Sequence, residues 1–105
     1  MGERTSNVQP GDLGETLGAL YSLIEERQRE LPPGSYTTKL LTDHEDYLLK
    51  KVNEEAVELV LAVKDGDHDH IRYEAADLVY HLLVTLERSG VTLEELAGEL
   101  NARRR

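Results

Sequence analysis

The chain contains no cysteine. Disulfides, thiolate nucleophiles and cysteine-based zinc sites are therefore excluded. Phenylalanine and tryptophan are also missing, and tyrosine supplies every aromatic ring. Aliphatic side chains must then fill the core, as helix bundles allow. No apolar run approaches the roughly 20 residues needed to cross a bilayer. The opening MGERTSNVQPGD lacks the apolar stretch of a secretory signal, so a cytoplasmic chain with no membrane contact is expected. Basic residues are scarce, with 12 Lys and Arg against 21 Asp and Glu and a formal charge of −9. That balance argues against a general nucleic-acid binder, which needs a basic face to neutralise phosphates. It remains compatible with a phosphate-bearing small ligand if a metal bridges acid to phosphate. A length of 105 residues is one domain with a modest core, so self-association would bury further apolar surface.

The acid is concentrated in residues 50–77, KKVNEEAVELVLAVKDGDHDHIRYEAAD. Both flanks of the polar break at 64–69 have helical spacing. Residues three apart share a helix face, so Glu55 pairs with Glu58 and Glu74 with Asp77. Glu58 and Glu74 lie equally far from Gly66, and so do Glu55 and Asp77. A tight turn at Gly66 between antiparallel helices folds one pair onto the other. Four converging carboxylates are costly unless a cation neutralises them.

Along the chain, residues 1–11 read as a loose polar tail and 12–105 as a single all-α domain of four helices. Asp12 caps the first helix with Glu15 in capping-box position, and Pro32 and Pro33 stop it after about Glu30. Ser35 to Leu40 reads as a linker, short turn or helix-entry loop whose hydroxyls and Lys39 can meet phosphates. Thr42, with Glu45 three residues on, is expected to cap a second helix from Asp43 to about Lys64. Leu48, Val52, Ala56, Leu59 and Val63 form its apolar stripe. Lys51, Glu54, Glu55 and Glu58 form its polar face, with Glu55 at the seam. Asp67 and Gly90 bracket the third helix. Its apolar face is Ile71, Ala75, Leu78, Val79, Leu82 and Leu86. Its polar stripe is His70, Glu74, Asp77 and His81. With both surfaces occupied, this helix should touch more than one neighbour. Thr92 and Glu95 open a short fourth helix that frays into Arg103, Arg104 and Arg105.

All-oxygen ligation by Glu55, Glu58, Glu74 and Asp77 favours a hard ion, magnesium or manganese. Magnesium commonly joins a few carboxylates to substrate phosphates. A water polarised by the metal and oriented by Glu54 suits attack on a phosphoanhydride. Lys50 or Lys51 is placed to offset charge on the leaving phosphate. The plainer alternative is that these acids form surface pairs with Lys50, Lys51 or Arg72. His81, on the acid stripe, either orients a carboxylate, touches substrate, or is a satisfied core histidine.

Glu54-Glu55-x-x-Glu58 followed by Glu74-x-x-Asp77 resembles the signature of the all-α nucleoside triphosphate pyrophosphatases, the MazG-like superfamily. Three further stretches resemble the phosphoribosyl-ATP pyrophosphatase family: Ser35-Tyr36-Thr37-x-Lys39-Leu40, Leu49 to Glu58, and Glu74 to Leu83. Asn53 departs from the glycine that the family often carries before the paired glutamates. The resemblance covers about residues 13–104. It implies a bundle-like MazG-type fold assembled as a helical homodimer, and magnesium-dependent hydrolysis of phosphoribosyl-ATP to phosphoribosyl-AMP and pyrophosphate in histidine biosynthesis. Manganese is a possible substitute. Glu55, Glu58, Glu74 and Asp77 would hold the metal, and Glu54, Glu55 and Glu58 would carry catalysis. Lys39, Lys50 and Lys51 would contact substrate. Some relatives are fused to a cyclohydrolase with zinc-binding cysteines, so a cysteine-free chain is expected to be the stand-alone form. Two alternatives stay open: a house-cleaning pyrophosphatase acting on dNTPs, and a non-catalytic helical oligomerisation module.

Overall fold

A computed structural model describes residues 7–104. The expected tail falls partly outside this range, at residues 1–6, as does Arg105; residues 7–11 carry no helix. Five helices follow in order: α1 (Leu13–Glu30), α2 (Tyr36–Thr42), α3 (Glu45–Asp65), α4 (His68–Ser89) and α5 (Leu93–Arg103). The all-α expectation holds, with one helix more than the four read from sequence. No helix among the described residues is long and apolar enough to cross a membrane.

Helix ends follow local chemistry. The Asp12 and Asp67 side chains accept the backbone N–H groups of Glu15 and His70 and start α1 and α4. Thr92 and Glu95 form a reciprocal capping box on α5. Gly66 and Gly90 close α3 and α4 in the left-handed conformation, at φ 71° and 78°, which an L side chain resists. The turn at Gly66 folds α3 back on α4, and these two make the most extensive helix pair.

Two local readings are corrected. Ser35-Tyr36-Thr37-Thr38-Lys39-Leu40 is not a linker. Ser35 caps the short helix α2, which is anchored by the buried Leu40 and Leu41. Thr42 is not the cap of the following helix either. It is the last residue of α2, and its hydroxyl donates to the Thr38 carbonyl at 2.8 Å. His44 caps α3 in its place, with Nδ1 accepting the Asp46 N–H at 3.1 Å.

The core joins four helices: Tyr21 and Ile24 of α1, Leu40 and Leu41 of α2, Leu48 of α3, and Leu83 and Val84 of α4. The expected faces of α3 and α4 are rotated relative to this core. Leu48 is buried as expected, but Val63 is exposed and Ala62 and Glu55 are buried in its stead. On α4, Val79 and Leu82 are exposed, while the stripe read as polar supplies the buried His70, Glu74 and His81. The polar stripe of α4 thus faces inward, and one acid of each pair, Glu55 of α3 and Glu74 of α4, is buried, while Glu58 and Asp77 are half-buried.

Candidate active site

Three of the four carboxylates meet. One oxygen each of Glu55, Glu58 and Glu74 lies within 4.8 Å of the others. Asp77, the fourth, adjoins the group through Glu55. Glu74 is 0% exposed and Glu55 7%. Glu55 Oε2 and Glu74 Oε1 are buried without a hydrogen-bond partner among the described residues. A buried carboxylate oxygen with nothing to donate to it is unstable in a low-dielectric interior. Burial, followed by the charges of Asp77 and Glu58, pushes the Glu55 carboxyl from 4.5 up to about 7. The donor set is all oxygen and anionic, which fits a hard divalent cation.

Glu74 is paired with His70, whose Nε2 lies 2.9 Å from Oε2 within the interior. The histidine was visible in the sequence as part of the α4 stripe but had no role there. An i,i+4 His–Glu pair usually reads as a surface pair, and only its burial distinguishes it.

The remaining predicted residues are not among the three clustered carboxylates. Glu54 pairs with Lys51 at 3.6 Å and Lys50 at 3.9 Å, on a more exposed part of α3. This is the surface-pair alternative, realised for Glu54. Arg72 pairs with Asp69 at 3.4 Å rather than with either α4 ligand candidate. Lys39 lies 4.8 Å from the centre of the Tyr47 ring and lines a cleft of about 590 Å³ with Ser35, Tyr36 and Thr38.

A cluster of aromatic and hydroxyl groups ties α2 to α4 beside the acids. His81 Nδ1 lies 2.8 Å from the Asp77 carbonyl oxygen, which can only accept. The proton of the neutral ring therefore sits on Nδ1, and Nε2 accepts from the Tyr36 hydroxyl at 2.8 Å. Tyr36 is 43% exposed overall, yet its hydroxyl reaches inward to this buried histidine. Burial, then Tyr47, Tyr80 and Glu55, hold the Tyr36 phenol well above its ordinary range, so it stays a donor. Tyr36 stacks on Tyr80, and the Tyr80 hydroxyl bonds Thr37. Of the roles open to His81, the geometry supplies a satisfied core histidine that locks the SYT segment against the backbone of Asp77. Tyr36→Phe strips the donor from a buried imidazole nitrogen. It should lower stability in urea unfolding by about 1–3 kcal/mol, the cost of an orphaned buried acceptor.

Curated relatives match most of the chain. The bifunctional histidine biosynthesis protein HisIE of Thermus thermophilus is 47% identical over 94 residues, covering 90% of this chain and 44% of that protein. HisIE of Bacillus subtilis is 43% identical, over 90% of this chain and 46% of that protein. The chain thus spans less than half the length of these relatives. The phosphoribosyl-ATP pyrophosphatase of Halobacterium salinarum is 44% identical over 88% of this chain and 100% of its own length. The sequence profile of the phosphoribosyl-ATP pyrophosphohydrolases matches residues 17–104, and the chain belongs to that family.

Proposed function

We propose that this chain hydrolyses phosphoribosyl-ATP to phosphoribosyl-AMP and pyrophosphate, the reaction that serves histidine biosynthesis. The observation that carries this reading is the clustered trio Glu55, Glu58 and Glu74, two of them buried and each of those with an oxygen left without a hydrogen-bond partner among the described residues, set in a family in which relatives matched over nearly their full length bear that enzyme's name. The α–β phosphoanhydride bond breaks, water supplies the new oxygen on one product, and pyrophosphate leaves. Glu55, Glu58, Glu74 and Asp77 would hold magnesium, with manganese as a substitute. The ion would neutralise the cluster and polarise phosphate oxygens. The chain's own part is placement. Burial fixes Glu55 and Glu74, the Tyr36–His81 bond ties α2 to α4, and Lys39 of α2 is our candidate for contact with substrate. Glu54, held by Lys50 and Lys51, is our candidate for orienting the attacking water, and the two lysines for meeting the leaving phosphate. A substrate of this kind would be met in the cytoplasm, which is where we infer the enzyme acts.

We also infer a homodimer. Val57, Val60 and Leu61 of α3 and Val79 and Leu82 of α4 are large, apolar and exposed, more than scattered surface residues need. Isologous pairing of this face would cover it.

The test is turnover. The purified chain with magnesium should release pyrophosphate from phosphoribosyl-ATP far faster than from any of the four dNTPs. Preference for a dNTP would instead assign it to house-cleaning. Absence of turnover and of magnesium binding together would leave an oligomerisation module.

A further inference from the structure

The two oxygens of Glu74 have different surroundings. Oε2 lies 2.9 Å from His70 Nε2, and Oε1 has no hydrogen-bond partner among the described residues. A carboxylate rotates about its last torsion at little cost. A fixed N–H donor at one oxygen removes that freedom and decides which oxygen faces the cluster. His70 is suited to be such a fixed point. It is 4% exposed, one turn before Glu74 on the same helix. Its backbone N–H is held by the Asp67 cap at 3.2 Å. It is not one of the clustered carboxylates, and no step proposed above employs it.

We propose that His70 is a positioning residue for the reaction: its Nε2–H holds Glu74 Oε2 so that Oε1 is presented, together with Glu55 and Glu58, to a divalent cation. This rests on the reading of the acid trio as a cation site. A purely structural histidine would satisfy Glu74 and support the fold without affecting how tightly the folded protein binds metal. The two roles are therefore separable.

The experiment is Mn²⁺ titration of the full chain, followed by paramagnetic resonance and by calorimetry, with thermal melts on every variant. In His70→Gln the amide nitrogen can reach the place of Nε2. In His70→Asn it reaches only the place of Nδ1, so the bond to Glu74 is lost at similar polarity. His70→Asn should weaken Mn²⁺ binding by about 10- to 100-fold, the usual effect of losing a partner that orients a ligand. His70→Gln should stay close to wild type. At saturating Mn²⁺, His70→Asn should recover most of the wild-type kcat. On a Glu74→Gln background, His70→Asn should add no further loss of affinity. A folded His70→Asn that binds Mn²⁺ like wild type overturns the proposal, whatever its melting temperature. Equal weakening in the Gln and Asn variants also overturns it, because the Gln variant keeps the donor. If His70→Asn does not fold, His70→Leu is compared in its place, and wild-type affinity there counts equally against the proposal. A wild-type chain that binds no Mn²⁺ removes the cation site itself and the proposal with it. That result is distinct from one in which wild type binds and the His70 variants match it.

Discussion

Replacing Glu55 and Glu58 together by glutamine should abolish hydrolysis while leaving the fold intact. Glutamine keeps the length and shape of each side chain and removes its charge. A bound divalent ion supplies several kcal/mol of charge stabilisation in phosphoryl transfer. Losing about 4 kcal/mol of it lowers the rate roughly a thousandfold, and loss of binding altogether would lower it further. Pyrophosphate release measures the rate, and calorimetric Mg²⁺ titration measures the site. Unchanged turnover and metal affinity in a folded double variant would sink the active-site assignment.

Replacing Glu55 alone by glutamine should raise metal-free stability, by an amount that depends on pH. The Glu55 carboxyl stands at about 7 in the fold against an ordinary 4.5, because of burial first and then Asp77 and Glu58. Between those two values the folded chain retains a proton that the unfolded chain has released. Stability from this group therefore falls as pH rises from 4.5 to about 7 and is flat beyond. A shift of this size corresponds to roughly 3 kcal/mol. In chelator, Glu55→Gln should accordingly raise the urea midpoint at pH 8 and change it little near pH 4.5. Saturating Mg²⁺ should reverse the order at pH 8, since only the wild type gains from the ion.

How far the fold could be read in the sequence depended on whether the deciding chemistry was local. Asp12, Asp67, Gly66, Gly90 and Thr92 mark helix ends through their own side chains or lack of one, and α1, α4 and α5 begin or end there. Tyr36–Thr42 escaped because Tyr and Thr favour helix weakly and seven residues cannot sustain one alone. Its helix depends on burying Leu40 and Leu41, which is a tertiary fact. That helix in turn absorbed Thr42 and moved the α3 cap to His44. The acid pairs were legible from spacing alone, because the turn at Gly66 fixes their register. The buried side of α4 was misread for an informative reason. Periodicity assigns polar residues to water, whereas here His70, Glu74 and His81 face inward. Local rules tend to fail in this way where a site is built. Glu74's dependence on His70 was hidden for the same reason, since only burial separates it from an ordinary surface pair.

The exposed apolar face of α3 and α4 leads to the second large effect. Leu61 and Leu82 stand 57% and 41% exposed. In a homodimer with two-fold symmetry each would be buried twice, once per subunit. Burying one leucine is worth about 1.5–3 kcal/mol, and burying an unpaired carboxylate in its place costs several more. Leu61→Glu with Leu82→Glu should therefore weaken association by well over 4 kcal/mol, a thousandfold or more in dissociation constant. Sedimentation at micromolar concentration should show the wild type as a dimer and the variant as a monomer. The concentration dependence of the wild-type melting temperature should disappear in the variant. Activity should fall as well, because α3 and α4 also carry Glu55, Glu58 and Glu74, and the inferred pairing would brace the outer side of the helices that hold the acids together. A wild-type chain that sediments as a monomer would refute the homodimer directly. A variant that stays dimeric would show that the subunits pair through some other face, and Leu49 of α3 together with Leu13 and Leu23 of α1 would be the next exposed apolar residues to change.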